Sequence, residues 1–311
     1  MKTFQRIAVV MTVPLLFLIP YFLFFSGGAT EQQKPTANTP NIAGMIKTDK
    51  DERKDLVISK QRFESKTLTA LDNKTKIQNS MHYLMHTPSK PWPEGIKFPL
   101  IVHLNDHNDT TYSAEYITQN QMGLAFPAFS MIPDIRGLYS ETIIPPVESR
   151  SMRGTSFTID KLNNPIKVVN FEELRSESKK ILDPLMKLIN NVKDEYPVDD
   201  KRIYIIGCGF GGATLFNLIE KNPNYFASAV IISSAWDTQN SRNFTATPML
   251  LLTGKNNATF PSFAARSFAD NVNGNGGKVA YQAYESMPYT CSYKQFYSST
   301  VWKWMFAQDR P

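Results

Sequence analysis

The sequence predicts an α/β protein: a mainly parallel sheet with helices on both faces, preceded by one N-terminal transmembrane helix. Three observations carry that prediction. From about residue 171 onward, short apolar runs alternate with stretches of helical periodicity, the signature of strands joined by covering helices. The strands read as near-continuous apolar runs, "RIYIIG" and "FASAVIISS" among them, as strands buried on both faces do. Near the N-terminus, an uncharged stretch from Ile7 to Phe25 follows Lys2 and Arg6.

That apolar stretch is long enough for a helix of about 28 Å, close to the thickness of a hydrocarbon core. The positive charge before it favours a cytoplasmic N-terminus. We therefore expect residues 1–29 to be a membrane anchor, giving a single-pass membrane protein whose C-terminal domain is periplasmic or otherwise extracytoplasmic. A cleaved signal peptide is the alternative, with Gly27 and Ala29 as small residues for cleavage. Residues 30–55 are polar and mixed in charge, and read as a linker. The folded domain is expected over 56–311.

Within it, "RFESKTLTA" and "SMHYLMHTP" predict two antiparallel strands. Phe98–Leu104 is a short buried strand, and "FPAFSMIPD" (126–134) another. Residues 136–170 are rich in turn formers and read as a long loop or small excursion. A helix is predicted over Phe171–Glu195, with Leu174, Ile181, Leu185, Leu188 and Val192 at helical spacing. Then follow a strand at 202–207, a helix at 211–221 and strands at 226–234 and 247–254. A helix at 261–272, a strand at 278–286 and a closing helix at 298–308 carrying Trp302 and Trp304 complete the order.

Composition bounds the function. The chain of 311 residues is 42% hydrophobic and 20% charged, an ordinary globular balance. Its net charge of +6 is scattered, without the basic–aromatic interleaving of a nucleic-acid surface, so no nucleic-acid partner is expected. Two cysteines, Cys208 and Cys291, are too few for a disulfide framework. An exported location would permit them to pair, and sequence alone leaves that open. No cofactor is indicated.

The most specific stretch is "EYPVDDKRIYIIGCGFGGATLFNLIEKNPNYFASAVIISS". It resembles the strand, nucleophile elbow, elbow helix and following strand of the α/β-hydrolase superfamily. The nearest likeness is to secreted bacterial esterases and to polyhydroxybutyrate-depolymerase-like and dienelactone-hydrolase-like proteins. "KFPLIVHLNDHND" is similar to the strand and loop carrying that family's HGxG oxyanion motif, and "TPMLLLTGKNNATFP" to those delivering its acid. The elbow keeps its small residues, Gly207, Gly211 and Gly212, because a strained strand-to-helix turn needs them. At its tip, where the family places a nucleophile, stands Gly209.

The other matched positions are replaced as well. Asn257 stands at the acid, Tyr289 near the base, and all four histidines (His82, His86, His103, His107) precede the elbow. The oxyanion loop reads Asn105, Asp106, His107, Asn108, which brings a negative charge where an oxyanion would need stabilising. Cys208 is an alternative nucleophile, although that register puts Ile206 and Phe210 at positions reserved for small residues. Asp237 could stand in for the acid.

With the apolar stretch 7–25, the resembling scaffold and its replaced positions lead us to expect a membrane-tethered, non-catalytic domain that binds a small ligand or an envelope protein outside the cytoplasm. Asn105, Asp106, His107, Gly209 and Phe210 are the pocket candidates. The alternatives are a divergent carboxylic-ester hydrolase using Cys208 or an unidentified nucleophile, and a docking component of an envelope assembly. His103, Asp106, His107 and Asp109 lie close enough to suggest a metal, but their spacing matches no metal motif. Sequons at Asn73, Asn108, Asn243 and Asn257 are unremarkable in so Asn- and Thr-rich a chain.

Overall fold

The computed structural model describes residues 63–71, 78–88, 90–106, 114, 126–135, 157–159, 165–167, 170–292 and 294–310. The expected membrane anchor, the linker, and the pocket candidate His107 lie outside them. Among the described residues, no helix is long and apolar enough to cross a membrane.

Eight strands form one sheet. In chain order they are β1 (Glu64–Leu71), β2 (Gln78–His86), β3 (Phe98–Leu104), β4 (Phe129–Pro133), β7 (Val198–Cys208), β8 (Ser228–Ile232), β9 (Met249–Asn256) and β10 (Val279–Pro288). Across the sheet the order is β1-β2-β4-β3-β7-β8-β9-β10. The pairs β1–β2 and β2–β4 are antiparallel. Every pair from β4 to β10 is parallel, so the mainly parallel sheet expected from the sequence is present. Two three-residue strands, β5 (Phe157–Ile159) and β6 (Pro165–Lys167), pair antiparallel as a separate small sheet. They lie in the segment read from sequence as irregular, which is a correction in detail: runs of three residues are too short to show a period of two.

Among the described residues, α-helices covering the sheet include α1 (Phe171–Glu195), α2 (Phe210–Lys221), α3 (Ser262–Gly274) and α4 (Ser299–Phe306). Helix α1 begins where the Asn170 side chain accepts from the amides of Glu172 and Glu173, with those two carboxylates in the first turn favoured by the helix dipole. Its predicted apolar stripe is the buried face.

Strand pleat divides the core in two. Leu100, Val102 and Leu104 of β3, with Ile203 and Ile205 of β7, pack against α1, α2 and α3. Their neighbours Ile101, Tyr204, Ile206 and Cys208 face the other way, toward Trp302 and Met305 of α4. Helices therefore lie on both faces, and the closing helix buries Trp302 and Trp304.

Strand β3 has β4 on one side and β7 on the other. The chain leaves β3 in one direction and returns past it in the other, which makes the C-terminal ends of β3 and β7 a topological switch point. Ligand clefts of open α/β sheets form at such points. Asn105 and Asp106 follow β3 there, and Gly209 follows β7.

Candidate active site with a filled elbow

Strand β7 ends at Cys208, and α2 starts at Phe210, so one residue makes the turn. Gly209 has φ 56° and ψ −120°, a conformation that L side chains rarely adopt. Its amide donates to the Ile232 carbonyl at 2.9 Å, and its carbonyl accepts from Ala213 at 3.1 Å. The turn is tight because the backbones touch: a Cβ on Gly211 would stand 2.0 Å from the Leu104 carbonyl oxygen. The small residues at the elbow are thus required by packing, whatever chemistry follows.

The space above Gly209 is occupied. A Cβ on Gly209 would lie 1.9 Å from the Tyr289 hydroxyl oxygen and 3.0 Å from the Asp106 carboxyl carbon. The Tyr289 hydroxyl, brought in by the segment after β10, stands where a nucleophile's side chain would begin. It donates to one oxygen of Asp106. The other oxygen accepts from the Phe210 amide at a long 3.4 Å. In hydrolases of this architecture, the amide after the nucleophile serves the oxyanion; here a carboxylate lies against it.

The residues following β10 are held in several places. Cys291 forms a disulfide with Cys208, Cα to Cα 5.8 Å. The Ser233 hydroxyl donates to the Thr290 carbonyl, and the Tyr297 hydroxyl to the Cys291 carbonyl at 2.7 Å. Ser233 itself sits at φ 49°, unusual for a residue with a side chain. Nothing in the sequence pattern marks Ser233. The two cysteines were a signal, one at the elbow and one two residues past Tyr289, but not a sufficient one. With its sulfur in the disulfide, Cys208 offers no thiolate in this oxidised form.

Asn257, just past β9, is buried with both ends of its amide engaged. Its oxygen accepts from the amides of Thr259 and Phe260 at 3.1 and 2.8 Å, and its nitrogen donates to the Ser233 carbonyl at 3.3 Å. It shapes its own loop. Asp237 is bound to Arg175 at 2.7 Å, within a cluster that includes Glu172 and Glu220, so it does not serve as a free acid either.

The described histidines lie on strands. His103 is wholly inside β3, and burial, followed by the nearby His86, lowers its pKa to about 3, so it is neutral near pH 7. His82 shares a hydrogen bond with the Thr67 hydroxyl at 2.8 Å, and the His86 ring lies 5.8 Å from that of Phe63. Among the described residues no group of three His, Cys, Asp or Glu side chains is placed to hold a metal ion.

Of the pocket candidates, Asn105 and Asp106 line a cavity of about 340 Å³ together with His82, Leu84, Ile132 and Asp134. Gly209 and Phe210 are not among its lining residues.

The strand order, the glycine elbow and the covering helices are those of the α/β-hydrolase fold, and that is the class of structure this chain has. Solved structures of similar architecture include a thermostable esterase (TM-score 0.61, 22% identity, covering 80% of this chain and 63% of that one). Another is a CE1 ferulic acid esterase from Anaeromyces mucronatus (TM-score 0.51, 13% identity, covering 82% and 95%). Identities this low speak to fold alone, and the chain spans less than two thirds of the thermostable esterase. No protein-family model matches the chain, and no curated protein matches it in sequence.

Proposed function

We propose that this protein is a membrane-tethered, non-catalytic member of the α/β-hydrolase architecture that binds a small ligand outside the cytoplasm. The observation that carries the reading is the Tyr289 hydroxyl in the space a nucleophile would need. The Asp106 carboxylate against the Phe210 amide supports it, because a resident negative charge opposes oxyanion stabilisation. Removing the nucleophile or base from a hydrolase triad costs on the order of 10⁶ in rate. The cavity beside Asp106 falls in the size range of small-molecule sites, which favours a small ligand over an envelope protein. The tether rests on the apolar stretch 7–25, and a disulfide is in keeping with an oxidising compartment.

The purified full chain, incubated with p-nitrophenyl acetate and with a fluorophosphonate probe, is expected to show neither turnover above the uncatalysed rate nor covalent labelling. Turnover sinks the non-catalytic reading. One geometric fact favours a second reading, a divergent ester hydrolase: Tyr289 presents a hydroxyl, hydrogen-bonded to a carboxylate, at the nucleophile's place. Turnover that vanishes in Tyr289→Phe would establish it. For the tether, alkaline carbonate extraction is expected to leave the chain in the membrane pellet; release into the supernatant refutes an uncleaved anchor.

A further inference from the structure

The residues that fill the elbow are tied to it covalently. Cys208 is the last residue of β7, adjacent to Gly209, and Cys291 lies two residues beyond Tyr289. The bond therefore joins the two sides of the filled space, the turn and the chain segment that supplies the tyrosine. Both sulfurs belong to buried residues, Cys291 being the nearer to the surface and flanked by the exposed Ser292. Other ties on that segment are non-covalent: Ser233 donates to the Thr290 carbonyl, Tyr297 to the Cys291 carbonyl and Tyr289 to Asp106, and the Tyr289 ring lies 6.2 Å from that of Phe260. Hydrogen bonds and ring contacts break and re-form with local fluctuations, whereas the disulfide yields only to chemistry.

We propose that the Cys208–Cys291 disulfide is a reducible clasp that keeps Tyr289 in the elbow, and that its reduction by a dithiol opens a pocket at Gly209 which the oxidised protein keeps filled. The proposal rests on reading Tyr289 as the occupant of the nucleophile's place. In the exchange, a reductant thiolate attacks the Cys291 sulfur, the S–S bond breaks, and Cys208 leaves as a thiolate that takes a proton from water. The reductant's second thiol then attacks the mixed disulfide, freeing Cys291 and closing the oxidised reductant into a ring. Two electrons pass from dithiol to protein. With the clasp gone, residues 289–292 lose their covalent tie to the elbow and keep non-covalent contacts alone, and local opening becomes accessible.

Hydrogen exchange of the full chain, oxidised and after dithiothreitol, tests this, with thiol alkylation confirming that two sulfhydryls are released. Reduction is expected to speed exchange at least tenfold in residues 289–292 while 202–207 and 228–232, inside the sheet, stay protected. The double variant Cys208→Ser, Cys291→Ser should match the reduced form without reductant. In oxidised Tyr289→Ala, residues 289–292 should keep their protection. Unchanged exchange after both thiols are titrated overturns the proposal, as does loss of protection throughout the sheet. Loss of protection in oxidised Tyr289→Ala also overturns it, because the tyrosine and not the bond would then hold the segment. Ester hydrolysis seen only in the reduced protein would support the clasp while refuting the non-catalytic reading, so the two ideas fail separately.

Discussion

A methyl group on Gly209 would meet the Tyr289 hydroxyl at 1.9 Å and would sit on a backbone at φ 56°. Gly209→Ala is therefore expected to destabilise the protein by about 2 kcal/mol, through overpacking and strain together. Removing the ring relieves only the first part, so Tyr289→Ala and Gly209→Ala should be strongly non-additive in a double-mutant cycle read by denaturant unfolding. Additive effects would mean that the two residues do not compete for the space. His103 makes a second residue-scale prediction. Its folded pKa of about 3 lies below the unfolded value near 6.5. Below pH 6.5 the unfolded chain thus binds the extra proton. Stability contributed by the neutral ring is full above that pH and falls toward pH 3, by up to about 1.4 kcal/mol per pH unit. His103→Gln should flatten the fall in that window; an unaltered slope would show that other groups set it. At this scale the sequence was a partial guide. The missing histidine after the elbow and the glycine at its tip could be read directly, since both are matters of residue identity. That Tyr289 and Asp106 meet could not, because 183 positions separate them and no local pattern encodes that contact.

Among the elements, α1, α2 and the segment after β8 are joined by one cation. Arg175 on α1 reaches Asp237 at 2.7 Å and Glu220 of α2 at 3.4 Å, and its guanidinium lies 5.1 Å from the Trp236 ring. All three charged side chains are largely buried. Arg175→Ala would leave two buried carboxylates without their cation, at an expected cost of about 3 kcal/mol. Chemical denaturation checks it; a change below 0.5 kcal/mol would mean that water replaces the arginine without penalty. Elements with a clear period were legible before the structure: α1 has the predicted bounds, and β3 has its predicted span. Strand β7 begins ahead of the predicted 202–207, because Asp199, Asp200 and Lys201 are charged and at least partly exposed and carry no apolar signal, leaving Val198 as an isolated apolar residue. Strands β5 and β6 escaped for want of length.

Over the whole molecule the disulfide closes a loop of 83 residues. Constraining the unfolded chain to that extent corresponds to about 4.6 kcal/mol in the loop-entropy account. The full chain is expected to unfold at a clearly lower denaturant concentration in dithiothreitol. An unmoved midpoint would show that the reduced unfolded state is already compact. The fold class was legible at this scale because alternation and strand composition suffice for it. The sheet order was not, since it depends on which strand edges meet.

The Asp106 carboxylate has one more consequence. Lying against the Phe210 amide at the start of α2, it acts as a competitor attached to its own receptor. An attached group has an effective concentration in the millimolar range or above, and it is never diluted. Free acetate or another simple carboxylate at physiological levels therefore meets an address already taken, and an anion that settles beside Phe210 must first displace a side chain that cannot diffuse away.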